Sequence, residues 1–155
     1  MSIKRRTFIK GSFATGALAI AASAGLLKPS QVLAAWPEDA FTAKTLDEAI
    51  QSLLGSNDLE KGDINIKAPE IAENGAVVPI SISANIPDAQ SISIFVSKNP
   101  QPLVCSFDIQ GKLETFISTR IKMGETSDIV AVVRTEDGLF SASKTVKVTI
   151  GGCGG

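Results

Sequence analysis

The sequence predicts an all-β domain: an immunoglobulin-like antiparallel β-sandwich with a short N-terminal helix before it and a flexible glycine-rich arm after it. From Ile64 onward, apolar and polar residues alternate in several runs, which is typical of strands that have one buried face. Seven such runs fall within about 90 residues and are separated by turn signals, a pattern that favours a sandwich. The chain has 155 residues, a length that suggests one domain.

The N-terminus has the pattern of an export signal. Its basic start contains the sequence Arg-Arg-Thr-Phe-Ile-Lys, which matches the twin-arginine (Tat) motif. The uncharged stretch Gly11–Leu27 is short and rich in small residues for a membrane span of about 20 residues, so we expect cleavage and no membrane contact afterwards. Residues 1–34 form the predicted signal peptide, cleaved after Ala34 or, alternatively, after Ala24, and the expected destination is the periplasm. The residues that carry the export motif are Arg5, Arg6 and Phe8.

Composition excludes several functional classes. The chain contains no histidine, which is the commonest general base and metal ligand, and we find no cofactor motif. We therefore expect neither an enzyme nor a cofactor, and export in the folded state suggests a partner subunit acquired beforehand.

The net charge of the chain argues against nucleic-acid binding. Without the five cations of the signal peptide, ten Lys and Arg remain against 16 Asp and Glu, a net charge of −6. Those cations are Lys4, Arg5, Arg6, Lys10 and Lys28.

Residues 35–62 are predicted to be a helical lead-in. Thr45 and Glu48 have the spacing of a capping box at a helix start, and Gly55 suits the position after the helix end. The apolar residues between them recur at the spacing of one helix face. We expect this helix either to cover one edge or end of the domain or to contact a partner. The apolar residues are Leu46, Ala49, Ile50, Leu53 and Leu54.

The predicted sandwich spans residues 63–150. Phe95 interrupts an otherwise serine-rich face, and we expect it to be an isolated surface residue or to mark a partner surface. Asp137-Gly138 is the strongest hairpin signal because it lies between two well-patterned runs. The other turn signals are Glu73-Asn74-Gly75, Asn99-Pro100, Gln110-Gly111 and Met123-Gly124. The predicted strands lie near residues 64–68, 76–86, 91–97, 103–109, 114–121, 127–134 and 139–150.

The two cysteines have different predicted roles. Cys105 lies in a predicted strand, where a period of two places it on the same face as Leu103 and Phe107, so we expect a small buried hydrophobic side chain. A disulfide between Cys105 and Cys153 is the ordinary alternative in an exported protein, but it requires the tail to fold back. Beyond this packing, the sequence assigns no role to Cys105.

Cys153 lies in the terminal segment 151–155, which reads Gly-Gly-Cys-Gly-Gly. Glycines keep the segment narrow and free in conformation, so it is suited to entering a cleft, and from Ile150 the thiol reaches roughly 10 Å. No neighbouring cation lowers the thiol pKa from about 8.5, and catalytic groups need a fixed position. We therefore predict a covalent carrier arm, and the plain alternative is a frayed terminus with an incidental cysteine. The arm glycines are Gly151, Gly152, Gly154 and Gly155.

Three features together resemble the SoxY family, the sulfur-carrier subunits of the bacterial thiosulfate-oxidising (Sox) system. They are the twin-arginine signal, the small β-sandwich without histidine, and the terminal Gly-Gly-Cys-Gly-Gly. The resemblance covers essentially the whole chain, and the terminus is its most specific element. It implies that Cys153 becomes covalently joined to thiosulfate while the chain itself catalyses nothing.

The resemblance also implies the partners. A SoxZ-like subunit without its own export signal would form a heterodimer with this chain. The c-type cytochrome SoxXA would form the bond to thiosulfate, the manganese hydrolase SoxB would release sulfate, and SoxCD, where present, would oxidise the remaining sulfur. The glycines beside Cys153 would also allow a tail disulfide-linked dimer when the thiol is idle. Cys105 is additional to what the family pattern requires.

Three other interpretations remain open at this point. The terminal Gly154-Gly155 is compatible with a ubiquitin-like sulfur carrier activated at the carboxylate of Gly155, although the export signal argues against it. A structural sandwich tethered through a terminal disulfide predicts a permanent cross-link and no sulfur adduct. A redox enzyme that uses both cysteines requires Cys105 to be accessible.

Overall fold

The computed structural model describes residues 37–109 and 115–149. The chain divides into two units, Met1–Ala35 and Trp36–Gly155, and every described residue belongs to the second unit. Among these residues, no helix is long and apolar enough to cross a membrane. The predicted signal peptide lies outside the described residues and stays a prediction.

Two short helices precede the strands. The first, α1, comprises Glu38–Thr42, and the second, α2, comprises Leu46–Leu54. The predicted capping box is present at the start of α2: the Glu48 amide donates to Thr45 Oγ1, and the Thr45 amide donates to Glu48 Oε2, both at 3.3 Å. Gly55 follows the helix with a φ of 79°, a left-handed conformation that glycine adopts without strain.

All seven predicted strands are present, and two further strands of two residues each accompany them. The two short strands were not predicted because two residues carry no periodic signal. In chain order the strands are β1 Glu60–Lys61, β2 Ile64–Lys67, β3 Ile71–Ala72, β4 Val78–Ala84, β5 Ser91–Val96, β6 Leu103–Asp108, β7 Thr115–Ile121, β8 Ser127–Arg134 and β9 Leu139–Val148.

The strands form two sheets. The larger has the order β1-β9-β8-β5-β6, and β3 also pairs with β9, while the smaller has the order β2-β4-β7. Three strands thus oppose a sheet built on β9, β8, β5 and β6, an arrangement typical of immunoglobulin-like sandwiches. The antiparallel prediction is correct for every pair except those of β1 and β3, which both run parallel to β9. The predicted hairpin at Asp137-Gly138 joins β8 to β9.

The main core lies between the two sheets. The alternation in β4 directs Val78, Ile80 and Ile82 inward, and each is at most 2% exposed. Facing residues of β5 and β8 close the core from the larger sheet. The buried members from these two strands are Ile92, Ile94, Val96, Ile129, Ala131 and Val133.

A second apolar cluster lies on the opposite face of the larger sheet, where the two helices pack. Phe95, which is 0% exposed, packs there with Ala49 and Ile50 of α2. The expectation that Phe95 is a surface residue is therefore wrong, because the helices cover this face. The alternative in which the helical segment covers the domain is correct, and the covered region is part of a sheet face around Phe95 rather than an edge.

The covered face explains why β5 is buried at all six of its positions. Its serines lie under the two helices rather than in solvent. Ser93 is 0% exposed, and its hydroxyl forms a hydrogen bond of 2.9 Å with the hydroxyl of Ser106. In the described part of the chain, no buried side-chain polar atom lacks a hydrogen-bond partner. Because the serine hydroxyls are hydrogen-bonded, both faces of β5 can be buried, which the alternating pattern alone did not indicate.

Candidate functional site

The predicted attachment residue, Cys153, and the arm glycines lie outside the described residues, as do Arg5, Arg6 and Phe8. Their predicted roles stay predictions. The described part of the site consists of the strand that leads into residues 151–155 and of the side chains around its end.

β9 is held on both sides up to its C-terminal end. On one side, the Thr149 amide donates to the Ala72 carbonyl oxygen of β3 at 3.0 Å. On the other side, the Val148 amide donates to Thr126 Oγ1 at 3.0 Å. Residues 147–149, which we call the arm root, are therefore fixed to the sandwich, and the terminal segment starts from a defined position.

Gly75 brings the loop before β4 against the arm root. Its carbonyl oxygen accepts a hydrogen bond of 2.7 Å from the Met123 amide. A Cβ at Gly75 would lie 2.8 Å from Val148 Cγ1 and would collide with the Met123 carbonyl oxygen, so the close approach requires glycine. Sequence reasoning found a turn signal at Glu73-Asn74-Gly75, but nothing in the pattern showed that this turn packs against β9.

The position of Cys105 corrects one sequence prediction. Cys105 pairs with Ile94, which faces the main core, whereas Leu103 pairs with Phe95 under the helices. An irregularity between these pairs, a β-bulge, places Cys105 and Leu103 on opposite faces. Cys105 does share a face with Phe107, as predicted, but it is only half-buried because β6 is the edge strand of its sheet.

The thiol of Cys105 is poorly suited to nucleophilic chemistry. It is free in the described part of the chain, and desolvation by burial raises its pKa to about 11. Since the thiolate is the reacting form, a raised pKa makes this cysteine slow near neutral pH. This environment agrees with the packing role expected from the sequence rather than with a redox pair.

A surface cavity of about 490 Å³ lies at the other end of the smaller sheet, lined in part by Asp63, Asn85 and Phe116. It lies beside the C-terminal end of β4, whereas Gly75 precedes that strand, so about 20 Å of strand separates the cavity from the arm root. The described residues contain no cluster of His, Cys, Asp and Glu able to hold a metal ion.

The comparison with protein families identifies the chain. The model of the family described as "Sulfur oxidation protein SoxY" matches residues 50–153, more than half of the sequence. The chain belongs to the SoxY family. The matched SoxY segment begins within α2, includes the whole sandwich and ends at Cys153.

A solved SoxY structure agrees with this assignment. The structure of the sulfur carrier protein SoxY from Chlorobium limicola f thiosulfatophilum is 44% identical, with a TM-score of 0.63, and the alignment covers 73% of this chain and 99% of that chain. A crystal structure of an engineered protein is 14% identical with a TM-score of 0.38, covering 56% of this chain and 20% of that chain, and supports no argument. A comparison with curated proteins found no match. The predicted SoxY resemblance and β-sandwich are thus confirmed.

Proposed function

We propose that this SoxY-family chain is a periplasmic sulfur carrier. It holds thiosulfate-derived sulfur intermediates on the Cys153 thiol and presents them to the enzymes of thiosulfate oxidation. The observation that carries the proposal is the SoxY family match, which extends through residue 153. The arm root supports it, because a carrier needs a thiol tethered to a fixed point, and the amides of Val148 and Thr149 are hydrogen-bonded to Thr126 and Ala72 on the two sides of the chain.

The proposed chemistry has two steps on Cys153. First, the Cys153 sulfur forms a bond to the outer sulfur of thiosulfate. This oxidation releases the thiol proton to solvent and transfers two electrons to a c-type cytochrome such as SoxXA. Second, a hydrolase such as SoxB adds water across the bond to the sulfone, releasing sulfate and a proton and leaving a persulfide on Cys153. Where a SoxCD-type enzyme is present, the remaining sulfur is oxidised next. The chain itself contributes the nucleophilic sulfur and its presentation, not the catalytic groups.

The proposal includes a heterodimer and an export route. A SoxZ-like subunit joins the chain in the cytoplasm, and the Tat signal at residues 1–34 carries the folded pair to the periplasm. Removal of the signal peptide leaves no predicted membrane contact. The expectation of folded export rests on the motif residues Arg5, Arg6 and Phe8.

Intact-protein mass spectrometry tests the carrier role. The chain is purified from thiosulfate-grown cells and measured with and without reductant, beside the variants Cys153→Ser and Cys105→Ser. The expected result is a set of reductant-labile additions, in steps of a sulfur atom or a thiosulfonate group, that disappear only in Cys153→Ser. The Cys105→Ser protein is the matched control because it removes a thiol of the same chain.

The same experiment separates the alternatives. Sulfur on the carboxylate of Gly155 would indicate a ubiquitin-like carrier instead. A mass without adducts, or a permanent cross-link through the tail, would support the tethered structural sandwich and overturn the proposal.

A further inference from the structure

β7 is an open edge of the smaller sheet. In the part of the chain that the structure describes, it pairs only with β4, in a register without interruption from Thr115 to Ile121. Every second residue of an edge strand directs its backbone N–H and C=O groups away from the sheet, where a further strand can bond to them. β7 therefore offers one side for strand pairing along its seven residues, about 24 Å.

β7 lacks the features that protect sheet edges. Natural proteins block edge strands by making them short or by placing lysine, proline or a bulge in them. Among the other described edges, β1 and β2 have two and four residues, and the pairing of β6 with β5 is irregular between Ile94 and Phe95. β7 has seven residues, no lysine or proline and no bulge. It is therefore the described edge best suited to pairing with another strand.

The sequence of β7 is complementary to itself. Two antiparallel copies aligned at Ser118, the middle residue, match all seven positions, and a two-fold axis passes between the two Ser118 residues. Directly opposite residues in such a pair have their side chains on the same face of the sheet. On the outer face of this alignment, Phe116 lies opposite Arg120 of the second copy, and the symmetry forms the same pair a second time.

The exposure of the β7 side chains fits this alignment. Phe116 is 59% exposed, more than any other large hydrophobic residue in the described ranges, and Arg120 is also exposed. An arginine side chain stacks on an aromatic ring, so each pair covers apolar surface and adds a cation–π contact. On the inner face, Ile117 is only half-buried, although its β4 partner Ile82 is 0% exposed. In the alignment, Thr119 of the second copy lies opposite Ile117 and covers it.

We infer that a second copy of this chain pairs with β7, antiparallel and about a two-fold axis at Ser118, and that the two smaller sheets join into one sheet of six strands. The inference goes beyond the proposed carrier function and does not depend on it. Strand pairing holds the two copies together without the tail cysteine. One edge of seven residues is small for an interface, so the association is reversible.

A cysteine placed at the two-fold axis tests the alignment. The full chain first receives Cys105→Ser and Cys153→Ser, which leaves no native thiol. It then carries either Ser118→Cys or the control Ser83→Cys. Directly opposite residues have Cα atoms about 4.5–5.5 Å apart, within the range of a disulfide.

Ser83 is a matched control because it is exposed on the same outer face but lies in the central strand β4. The two copies of Ser83 would be at least three strand spacings apart, about 14 Å, which is too far for a disulfide. Under mild oxidation, Ser118→Cys should form a linked dimer at least roughly tenfold faster than Ser83→Cys, both for the chain alone and with its partner subunit bound.

An exchange of side chains tests the cation–π pairs separately. Phe116→Arg places two arginines opposite each other at both ends of the alignment, so the dissociation constant of the dimer should rise roughly tenfold. Adding Arg120→Phe restores one arginine and one aromatic ring in each pair, and the dissociation constant should return to within about threefold of its original value. Sedimentation equilibrium over a concentration series measures the three proteins, all without native thiols, and circular dichroism shows whether each is folded.

The inference is overturned if the protein without native thiols stays monomeric over the whole series, or if Ser118→Cys forms a linked dimer no faster than Ser83→Cys. It is also overturned if the double exchange does not restore the association that Phe116→Arg weakens. Loss of the Ser118→Cys cross-link when the partner subunit binds would assign the edge to that subunit and overturn the inference as well. If an exchanged protein does not fold, the cross-linking comparison alone decides. None of these results bears on sulfur addition to Cys153, so the two proposals fail separately.

Discussion

Oxidation of this protein should join Cys153 to a second copy and not to Cys105 of the same chain. The sheet register determines how far apart the two positions are. Ala142 of β9 pairs with Ala131 of β8. Ala131 pairs in turn with Ile94 of β5, and Ile94 pairs with Cys105 of β6. Ala142 and Cys105 therefore lie in one row of the larger sheet, three strand spacings apart.

Standard strand dimensions convert this register into a distance. Three spacings of about 4.8 Å separate the two strands by about 14 Å. Thr149 lies farther along the chain than Ala142 by about seven residues, or about 23 Å. These perpendicular distances place the Cα atoms of Thr149 and Cys105 about 27 Å apart. The segment to Cys153 spans at most about 14 Å, which leaves about 13 Å. A disulfide tolerates a Cα separation of about 7 Å at most.

The assay is mild oxidation of the purified protein at low concentration, followed by non-reducing electrophoresis and intact mass measurement. We expect a disulfide-linked dimer that persists in Cys105→Ser and is absent in Cys153→Ser. The Cys105 pKa of about 11 adds a kinetic reason, since about one thiol in a thousand is ionised at pH 8. An intramolecular Cys105–Cys153 bridge in protein that keeps its native circular dichroism spectrum would refute the register argument.

Two further predictions concern the fold that supports the arm root. Phe95→Ala should lower the free energy of unfolding by about 3–5 kcal/mol because it empties a fully buried site under the helices. The exposed control Phe116→Ala should change it by less than about 0.5 kcal/mol, and urea unfolding measures both; similar values would contradict the packing of the helices. Gly75→Ala should cost about 1–3 kcal/mol because its Cβ collides with the Met123 carbonyl oxygen. Gly124→Ala is its control, since the nearest atom there is 3.8 Å away. Hydrogen exchange at the end of β9 should increase only in Gly75→Ala. Equal protection of these amides in the two variants would contradict the close packing of Gly75 against the arm root.

Local patterns in the sequence were sufficient to locate most elements. Strands with one buried face alternate, so β2, β4, β7 and β9 could be recognised from their side chains alone. The capping box of Thr45 and Glu48 and the hairpin at Asp137-Gly138 depend on neighbouring residues only, and both are present. The SoxY resemblance was likewise visible in the sequence, and the family match confirms it.

These local patterns did not predict the arrangement of residues around the end of β9. Residues 71–72 and 126 hold the end of β9, yet they are far from it in sequence and carry no motif. The bulge in β6 depends on how two strands pair, so period-two reasoning assigned Leu103 and Cys105 to one face when they lie on opposite faces.

The sequence by itself determined the strand positions, the helix cap and the family, because each of these depends on residue types at short and regular spacing. Only the tertiary structure decided that Phe95 is buried, that Cys105 is half-exposed with a raised pKa, and that β9 is bonded on both sides at the arm root. The physical reason is that burial, desolvation and the pairing of distant strands depend on what packs against a residue, and a one-dimensional pattern does not contain that neighbour.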